Sequence, residues 1–520
     1  MRELVVHQLL ARAAELFPTA QIVDPEGSVS YAEAWLRALK LANALEERGL
    51  EAGAVVGVLS VNTRHFFELH FALSLLGAVI HPLNFRLPQE QIVQSIEQAG
   101  DRWLFAWQGF APLAEALRSK VKELIWLGET PYEVSSEALI ARARPNPPQA
   151  AERVRETDDY TILHTTGTTG RPKAMRYRHR DLLLASLSIL HHLALHPGGA
   201  HADRRDVFMP LIPFFHIHAW GAAFFVPYLG AKLVLSGREG PEGQLAVIER
   251  EGVSWASMVP TQLQMLLEAR GETPLPLKVL TGGSPLPRGL AQRAWRQGVR
   301  YSLIYGGSDQ LATAISALPE SFNPESEEAA EELATWVFPV PLAQVRGIDE
   351  SGHSVKRDGK AIGEVVSEVP WLPPQGYEQD PQSSQSAYRS DGFHTKDLAV
   401  FKQDGRFYVV DREKDAIKSG GEWIPSATIE AILSEHPAVA QVAVLAVPDT
   451  RWGERPLAVL ALIPGAFLQE EELRGFLKEA VAQGRIASYW IPDRFVFVEE
   501  IPLTSAGKLH KAKLREMLGL

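Results

Sequence analysis

The chain has 520 residues, of which 46% are hydrophobic and 22% charged, with a formal net charge of −11. That length exceeds one ordinary hydrophobic core, and the composition is that of a globular chain of two or more domains rather than a disordered or fibrous one. The acidic balance excludes a general nucleic-acid binder while leaving room for a local basic pocket, and the absence of cysteine excludes disulfides, thiolate zinc sites and a cysteine nucleophile.

In chain order, the first segment, MRELVVHQLLARAAELFP, spaces Val6, Leu9, Leu10, Ala13, Leu16 and Phe17 at helical intervals and predicts a mature amphipathic helix with no cleavage-site pattern. Ser30 and Glu33 form a capping box that opens a helix running to about Arg48, with Gly49 at its end. The longest apolar runs, 66–83 and 182–195, are interrupted by Glu68 and His70 and by His191 and His192. They do not read as membrane spans, so the expectation is a cytoplasmic enzyme with no integral membrane segment.

Short apolar runs at 231–235 and 279–281 predict buried strands between helical stretches, the pattern of an α/β fold. Residues 370–390, rich in Pro, Gln and Ser, predict an exposed excursion. After Asp411 the texture tightens: a helix over 426–435, strands over 439–447 and 457–463, and a helix over 469–483 whose apolar stripe is Leu473, Phe476, Leu477, Ala480 and Val481. The predicted organisation is a large N-terminal domain, 1–411, and a small C-terminal α+β domain, 412–520, joined at the charged stretch 411–415.

The stretch HTTGTTGRPKAM at 164–175 combines two glycines, hydroxyls and a lysine, a set suited to a phosphate chain because glycine admits the ligand close to the backbone. Its spacing is not that of the kinase-type phosphate loop, since Gly167 and Gly170 are three apart and Arg171 and Pro172 precede Lys173. By itself it reads as a polar surface loop. Further motifs follow in order: PFFHIHAW at 213–220, YGGSD at 305–309, HTKD at 394–397, DREKDAIKSGGEW at 411–423 and PLTSAGK at 502–508. Singly, Trp220 and Tyr305 read as core, Asp309 as a turn residue, His216 as a satisfied buried histidine and Lys508 as a solvated surface charge.

Together and in this order the motifs resemble the adenylate-forming superfamily of acyl-CoA synthetases, luciferases and peptide-synthetase adenylation domains, over nearly the whole chain. FHIHAW, SGGEW and ERPLAVLAL at 454–462 are most similar to bacterial medium- and long-chain fatty acyl-CoA synthetases. His216 stands after Phe215, where amino-acid-activating domains carry an aspartate, which favours a plain carboxylic acid.

The resemblance implies activation of that acid by ATP to acyl-AMP and pyrophosphate, then transfer to coenzyme A, with Mg²⁺. It implies that Thr165, Thr166, Gly167, Thr168, Thr169, Gly170 and Lys173 cradle phosphates, and that Asp309 holds the metal. Ser308 would bond the α-phosphate. Tyr305 would stack on adenine beside Gly306, with Gly283 and Ser284 at its edge. Asp397 and Arg412 would take the ribose, and Lys508 would bridge carboxylate and α-phosphate. His216 and Trp220 would face the acid. Lys414 would be the hinge about which Lys508 gives way to the coenzyme A side, Lys418, Gly420, Gly421, Glu422 and Trp423. A homodimer is implied by analogy alone. Four positions depart from the family pattern: Ala174, His164, the pair Ser308 and Asp309, and Lys396 in place of a glycine. These keep two other readings open, a catalytically weak acyl- or nucleotide-binding homologue and an acyl-AMP ligase that delivers to a carrier protein. If the glycine replaced at 396 takes positive φ, lysine there costs roughly 1–2 kcal/mol.

Overall fold

The computed structural model describes residues 3–132, 134–165, 172–503 and 509–520. Its strands are β-branched and aromatic runs stopped by glycine and proline. Val55–Leu59 and Trp103–Trp107 are buried nearly throughout, as strands with helices on both faces must be. Among the described residues they belong to a six-stranded sheet in the order Glu123–Leu127, Trp103–Trp107, Val55–Leu59, Val79–Pro82, Asp159–His164, Ala174–Arg178. All its pairs are parallel except the last, Asp159–His164 with Ala174–Arg178, an antiparallel hairpin.

A nine-stranded sheet carries Lys278–Gly282, Arg300–Gly307 and Leu311–Ile315 as neighbours. A five-stranded antiparallel sheet follows, in which Asp358–Glu368, Gly392–Lys402 and Phe407–Arg412 lie side by side. A last sheet, built on the long hairpin of Val439–Asp449 with Gly453–Leu462, packs helices Ser426–Leu433 and Glu470–Ala482. The fold is mixed α/β, with a large N-terminal part and a smaller C-terminal one.

Local expectations hold where side chains act on their own backbone. The first helix spans His7–Leu16 and buries Leu9, Leu10 and Ala13, although Leu16 turns outward at 53% exposure. The helix Tyr31–Glu47 begins with the predicted capping box, Ser30 accepting from the Glu33 amide while the Glu33 carboxylate accepts from Ser30. In the C-terminal part Leu473, Leu477 and Ala480 are buried, with Phe476 and Val481 at the margin. No described helix is long and apolar enough to cross a membrane.

Residues 370–390 correct the expectation of an exposed excursion. They contain the helix Pro381–Ala387 and the strand Tyr388–Arg389, and Trp371 is fully buried. Their polar composition misleads because the segment spends its aromatic residues inward: the Trp371 indole donates to the Gln310 carbonyl at 2.9 Å, and the Tyr388 hydroxyl donates to the Asp309 carbonyl at 2.8 Å.

Candidate active site

Asp397, in the middle of Gly392–Lys402, meets residues near the ends of two other strands, Arg300–Gly307 and Phe407–Arg412. Its carboxylate accepts the Tyr305 hydroxyl at 2.8 Å on one oxygen and the Arg412 Nε at 3.1 Å on the other. Register between Gly392–Lys402 and Phe407–Arg412 places Asp397 opposite Arg412, so the sheet itself aligns the pair. Burial, and next the Asp397 charge, push the Tyr305 phenol well above its ordinary range. The Arg412 guanidinium is held charged chiefly by Asp397. A carboxylate accepts about four hydrogen bonds, so two lone pairs stay open for ligand hydroxyls.

The backbone beside this group is tight. Gly306 sits at φ 159° where a Cβ would meet the Leu311 carbonyl oxygen at 2.0 Å, so only glycine fits. Lys396 has φ 60°, the left-handed conformation that its replacement of glycine raised as a cost. Its ammonium faces Glu364 at 3.7 Å and Glu413 at 3.2 Å, which points it away from use as a bare cation.

Asp309 follows the turn after Arg300–Gly307 and is enclosed by three tyrosines that the sequence reading missed. Tyr177 donates to the Ser308 carbonyl at 2.6 Å, Tyr388 donates to the Asp309 carbonyl, and Tyr377 stands close enough to the Asp309 carboxylate to lower its pKa. The Asp309 Oδ1 is buried with no hydrogen-bond partner among the described residues. Burial raises the Asp309 pKa, with Tyr377, Arg412 and Lys173 pulling it back. An orphaned hard oxygen of this kind fits a divalent cation such as Mg²⁺, which takes one or two carboxylates and fills the rest of its shell with water and phosphate. Lys173 lies 3.5 Å from Asp380 and 4.6 Å from the Tyr377 ring centre. Tyr377 and Tyr388 lie in the stretch read as solvent-exposed, and no spacing rule marks them.

Thr165 closes the base of the glycine-rich loop, its amide donating to the Lys173 carbonyl at 2.9 Å and its hydroxyl accepting from the Lys173 amide at 3.3 Å. Residues 166–171 lie outside the described residues, and so do the expectations for Thr166, Gly167, Thr168, Thr169 and Gly170. Lys508 lies outside them too.

On the opposite side, Ile217–Trp220 all have φ between 43° and 58°, a left-handed turn followed by Gly221 at 82°. Each such residue costs roughly 1–2 kcal/mol. Buried bonds hold the turn: His218 Nδ1 lies 2.8 Å from His70 Nε2, and His218 Nε2 lies 3.0 Å from Thr161 Oγ1. His70 Nδ1 donates to the Phe66 carbonyl at 2.7 Å, so its Nε2 accepts and His218 donates. Burial pulls His70 down to about 4 and His218 well below its ordinary value, so both are neutral. The turn brings the Trp220 ring to 3.9 Å from where a Cβ on Gly283 would stand. Ser284 follows Gly283 past the end of Lys278–Gly282, partly exposed. The rings of His216 and Phe215 lie 4.5 Å apart, tilted by 55°, and line a small cavity together with His81 and His164.

The remaining expectations fall on the C-terminal part. Lys414 is exposed in the turn between Phe407–Arg412 and Ile417–Ser419. Gly420 and Gly421, at φ 61° and 91°, form the two-residue hairpin turn that requires glycine, carrying Glu422 on its far side. Lys418 reaches Glu350 at 2.5 Å and the Trp423 ring at 5.1 Å, and Trp423 packs on Leu398, Val400 and Val410.

The profile of the AMP-binding enzyme family matches residues 10–375, and that of the AMP-binding enzyme C-terminal domain matches 428–508. A long-chain-fatty-acid–CoA ligase of Thermus thermophilus is 36% identical, over 99% of this chain and 95% of its own. A medium-chain-fatty-acid–CoA ligase of Ectopseudomonas oleovorans is 30% identical, over 99% and 96%. Among solved structures, the anthranilate CoA ligase AuaEII in complex with anthranoyl-AMP superposes with a TM-score of 0.86 over 99% of this chain and 97% of that one, at 22% identity. At that identity the likeness is one of fold.

Proposed function

This chain belongs to the AMP-binding enzyme family, and from that premise we propose that it activates a medium- or long-chain fatty acid. It is an AMP-forming acid–CoA ligase that uses ATP, Mg²⁺ and coenzyme A. The acid carboxylate attacks the α-phosphorus of ATP, pyrophosphate leaves, and the coenzyme A thiol then displaces AMP from the acyl carbon.

In this reading Tyr305, Gly306, Gly283 and Ser284 bind the adenine end, while Asp397 accepts from the ribose hydroxyls on its open lone pairs and Arg412 donates to the ribose oxygens. Thr165 and Lys173, with residues 166–170, take the β- and γ-phosphates, and Ser308 bonds the α-phosphate. Asp309 would hold Mg²⁺, which supplies Lewis-acid stabilisation of phosphate charge when bound. Lys508 bridges carboxylate and phosphate in the first step. The portion from 412 to 520 turns about Lys414 to replace Lys508 with Lys418, Gly420, Gly421, Glu422 and Trp423 in the second.

The observation that carries the choice of acid is the wall around His216: the side chains that line its cavity, Phe215, His81 and His164 among them, carry no carboxylate to hold an amino group. The full-length likeness to two fatty-acid ligases supports the same choice. An apolar chain gains about 0.8 kcal/mol for each buried methylene, roughly fourfold in affinity, until the tunnel ends. Trp220 against Gly283 is the proposed side wall of that tunnel. Thioester formation across saturated acids from acetate to palmitate, with benzoate, should rise over several methylenes and then fall. A best rate with acetate or benzoate contradicts the fatty-acid reading, and acyl-AMP without thioester contradicts the coenzyme A step.

A further inference from the structure

Behind the small cavity at His216 lies a line of polar groups that the nucleotide chemistry does not use. Asp101 is buried, and both its oxygens face His81 Nδ1, at 2.8 and 2.9 Å. The other nitrogen, His81 Nε2, lies 3.0 Å from His164 Nδ1. The last nitrogen, His164 Nε2, is buried and has no partner among the described residues. His164 lines a cavity of about 20 Å³ shared with His216, Asn84 and Ser95, room for one water or one carboxyl oxygen. The line is built into the sheet: His81 is the penultimate residue of Val79–Pro82, His164 ends Asp159–His164, and the two strands are neighbours. Gly57 on the next strand makes space for the carboxylate, since a Cβ there would stand 2.5 Å from Asp101 Oδ2.

We infer that Asp101, His81 and His164 form a proton relay that takes the proton of the acid substrate at His164 Nε2 and lodges it on His81 beside Asp101. The inference rests on the acid-activating role proposed above. A fatty acid entering an apolar site is favoured in its neutral form, because burial disfavours the carboxylate, yet only the carboxylate attacks phosphorus. The transfer balances. The acid O–H bond breaks and an N–H bond forms at His164 Nε2; the His164 Nδ1–H bond breaks and an N–H bond forms at His81 Nε2. The electron pair stays on the acid oxygen, and the new imidazolium faces the Asp101 carboxylate. His164 is the catalytic member, while His81 and Asp101 position and charge-balance it.

The geometry sets the resting tautomers. His81 Nδ1–H donates to Asp101, so His81 Nε2 accepts from His164 Nδ1–H, and Nε2 is left as the acceptor of His164, a residue that lines the cavity. Burial, and next the field of His81, hold His164 neutral, as an acceptor must be. The other titratable groups facing the line are His216 across the cavity and Arg176, whose field reaches Asp101 and which is itself paired with Glu378 and Asp159.

The test is the pH profile of acyl-AMP formation with octanoate and palmitate for the native protein, His164→Phe, His81→Gln and Asp101→Asn, with the KM for ATP measured beside it. The relay predicts that His164→Phe lowers kcat/KM for the acid roughly tenfold near pH 6 and much less near pH 8.5, with KM for ATP unchanged. Equal losses at every pH overturn it. A second readout needs no substrate: histidine ¹⁵N shifts in the unliganded protein should show His164 protonated at Nδ1, with a tautomer that changes in His81→Gln. The same tautomer in both proteins overturns the relay even if the acid is not a fatty acid, whereas a native protein inactive on both acids, with the tautomers as predicted, overturns the substrate reading alone.

Discussion

On the side proposed for the nucleotide, Asp397 within a strand, Arg412 at a strand end and Asp309 in a turn are formal charges, and Arg412 stands half exposed, with 52% of its side chain in contact with solvent. On the side proposed for the acid, His70, His164 and His218 are imidazoles held neutral by burial, joined nitrogen to nitrogen or to carbonyl groups. The contrast follows from the ligands proposed for each side. Polyphosphate brings charge that fixed cations and carboxylates must meet, while an acyl chain needs a wall that is polar enough to handle one proton and otherwise dry.

The largest effect expected from this contrast is at Asp309. Its replacement by alanine should slow pyrophosphate release by about 10²- to 10³-fold. The melting temperature should hold or rise, because the variant removes a buried oxygen that has no partner among the described residues. A fall in melting temperature with little change in rate would move Asp309 from the charged wall into the scaffold.

The helix Arg64–Leu76 offers a sharper form of the comparison, since it carries a charged buried histidine and a neutral one. His65 lies between Glu26 at 2.8 Å and Glu137 at 3.1 Å, with Glu68 paired to Arg37 beside it. Though burial opposes it, these acids push His65 up to about 9. A histidine raised in the folded state contributes stability that is complete below the unfolded value of about 6.5 and is lost as pH rises through about 9, on the order of 3 kcal/mol. His70, pulled down to about 4, does the opposite: its contribution is present above about 6.5 and is lost as pH falls toward 4. Melting temperature against pH should therefore fall on the alkaline side in the native protein and be flatter there in His65→Gln. An unchanged alkaline slope in that variant would remove the distinction between the two histidines.

What was legible in the sequence divides along the same line. The capping box at Ser30 and Glu33 is a contact across three residues, so the chain alone shows it. Tyr305, Asp397 and Arg412 stand in ordered motifs; sheet register sets Asp397 opposite Arg412, and the Tyr305 hydroxyl reaches the same carboxylate from another sheet. The link from Asp101 through His81 to His164 spans three chain segments, and no local pattern distinguishes its members from ordinary core residues. Tyr377 and Tyr388 were hidden by polar neighbours, because composition averages over a segment while burial acts on single side chains.

The smallest expected effect is at Lys396, where Lys396→Gly should stabilise the fold by about 0.5–1 kcal/mol. Relief of the left-handed backbone at φ 60° outweighs the added freedom of glycine when unfolded, and the lost pairs with Glu364 and Glu413 are worth little on a side chain 52% exposed. Chemical denaturation reads it directly, and destabilisation by the variant would assign those two pairs a larger role at the nucleotide wall.

The most direct test of the account follows an oxygen atom. With octanoate labelled with ¹⁸O in both carboxylate positions, attack of the carboxylate on the α-phosphorus leaves one labelled oxygen in the AMP released after transfer to coenzyme A. Mass spectrometry should find AMP carrying one ¹⁸O and unlabelled pyrophosphate. Unlabelled AMP, or label in inorganic phosphate with ADP as the nucleotide product, would contradict it.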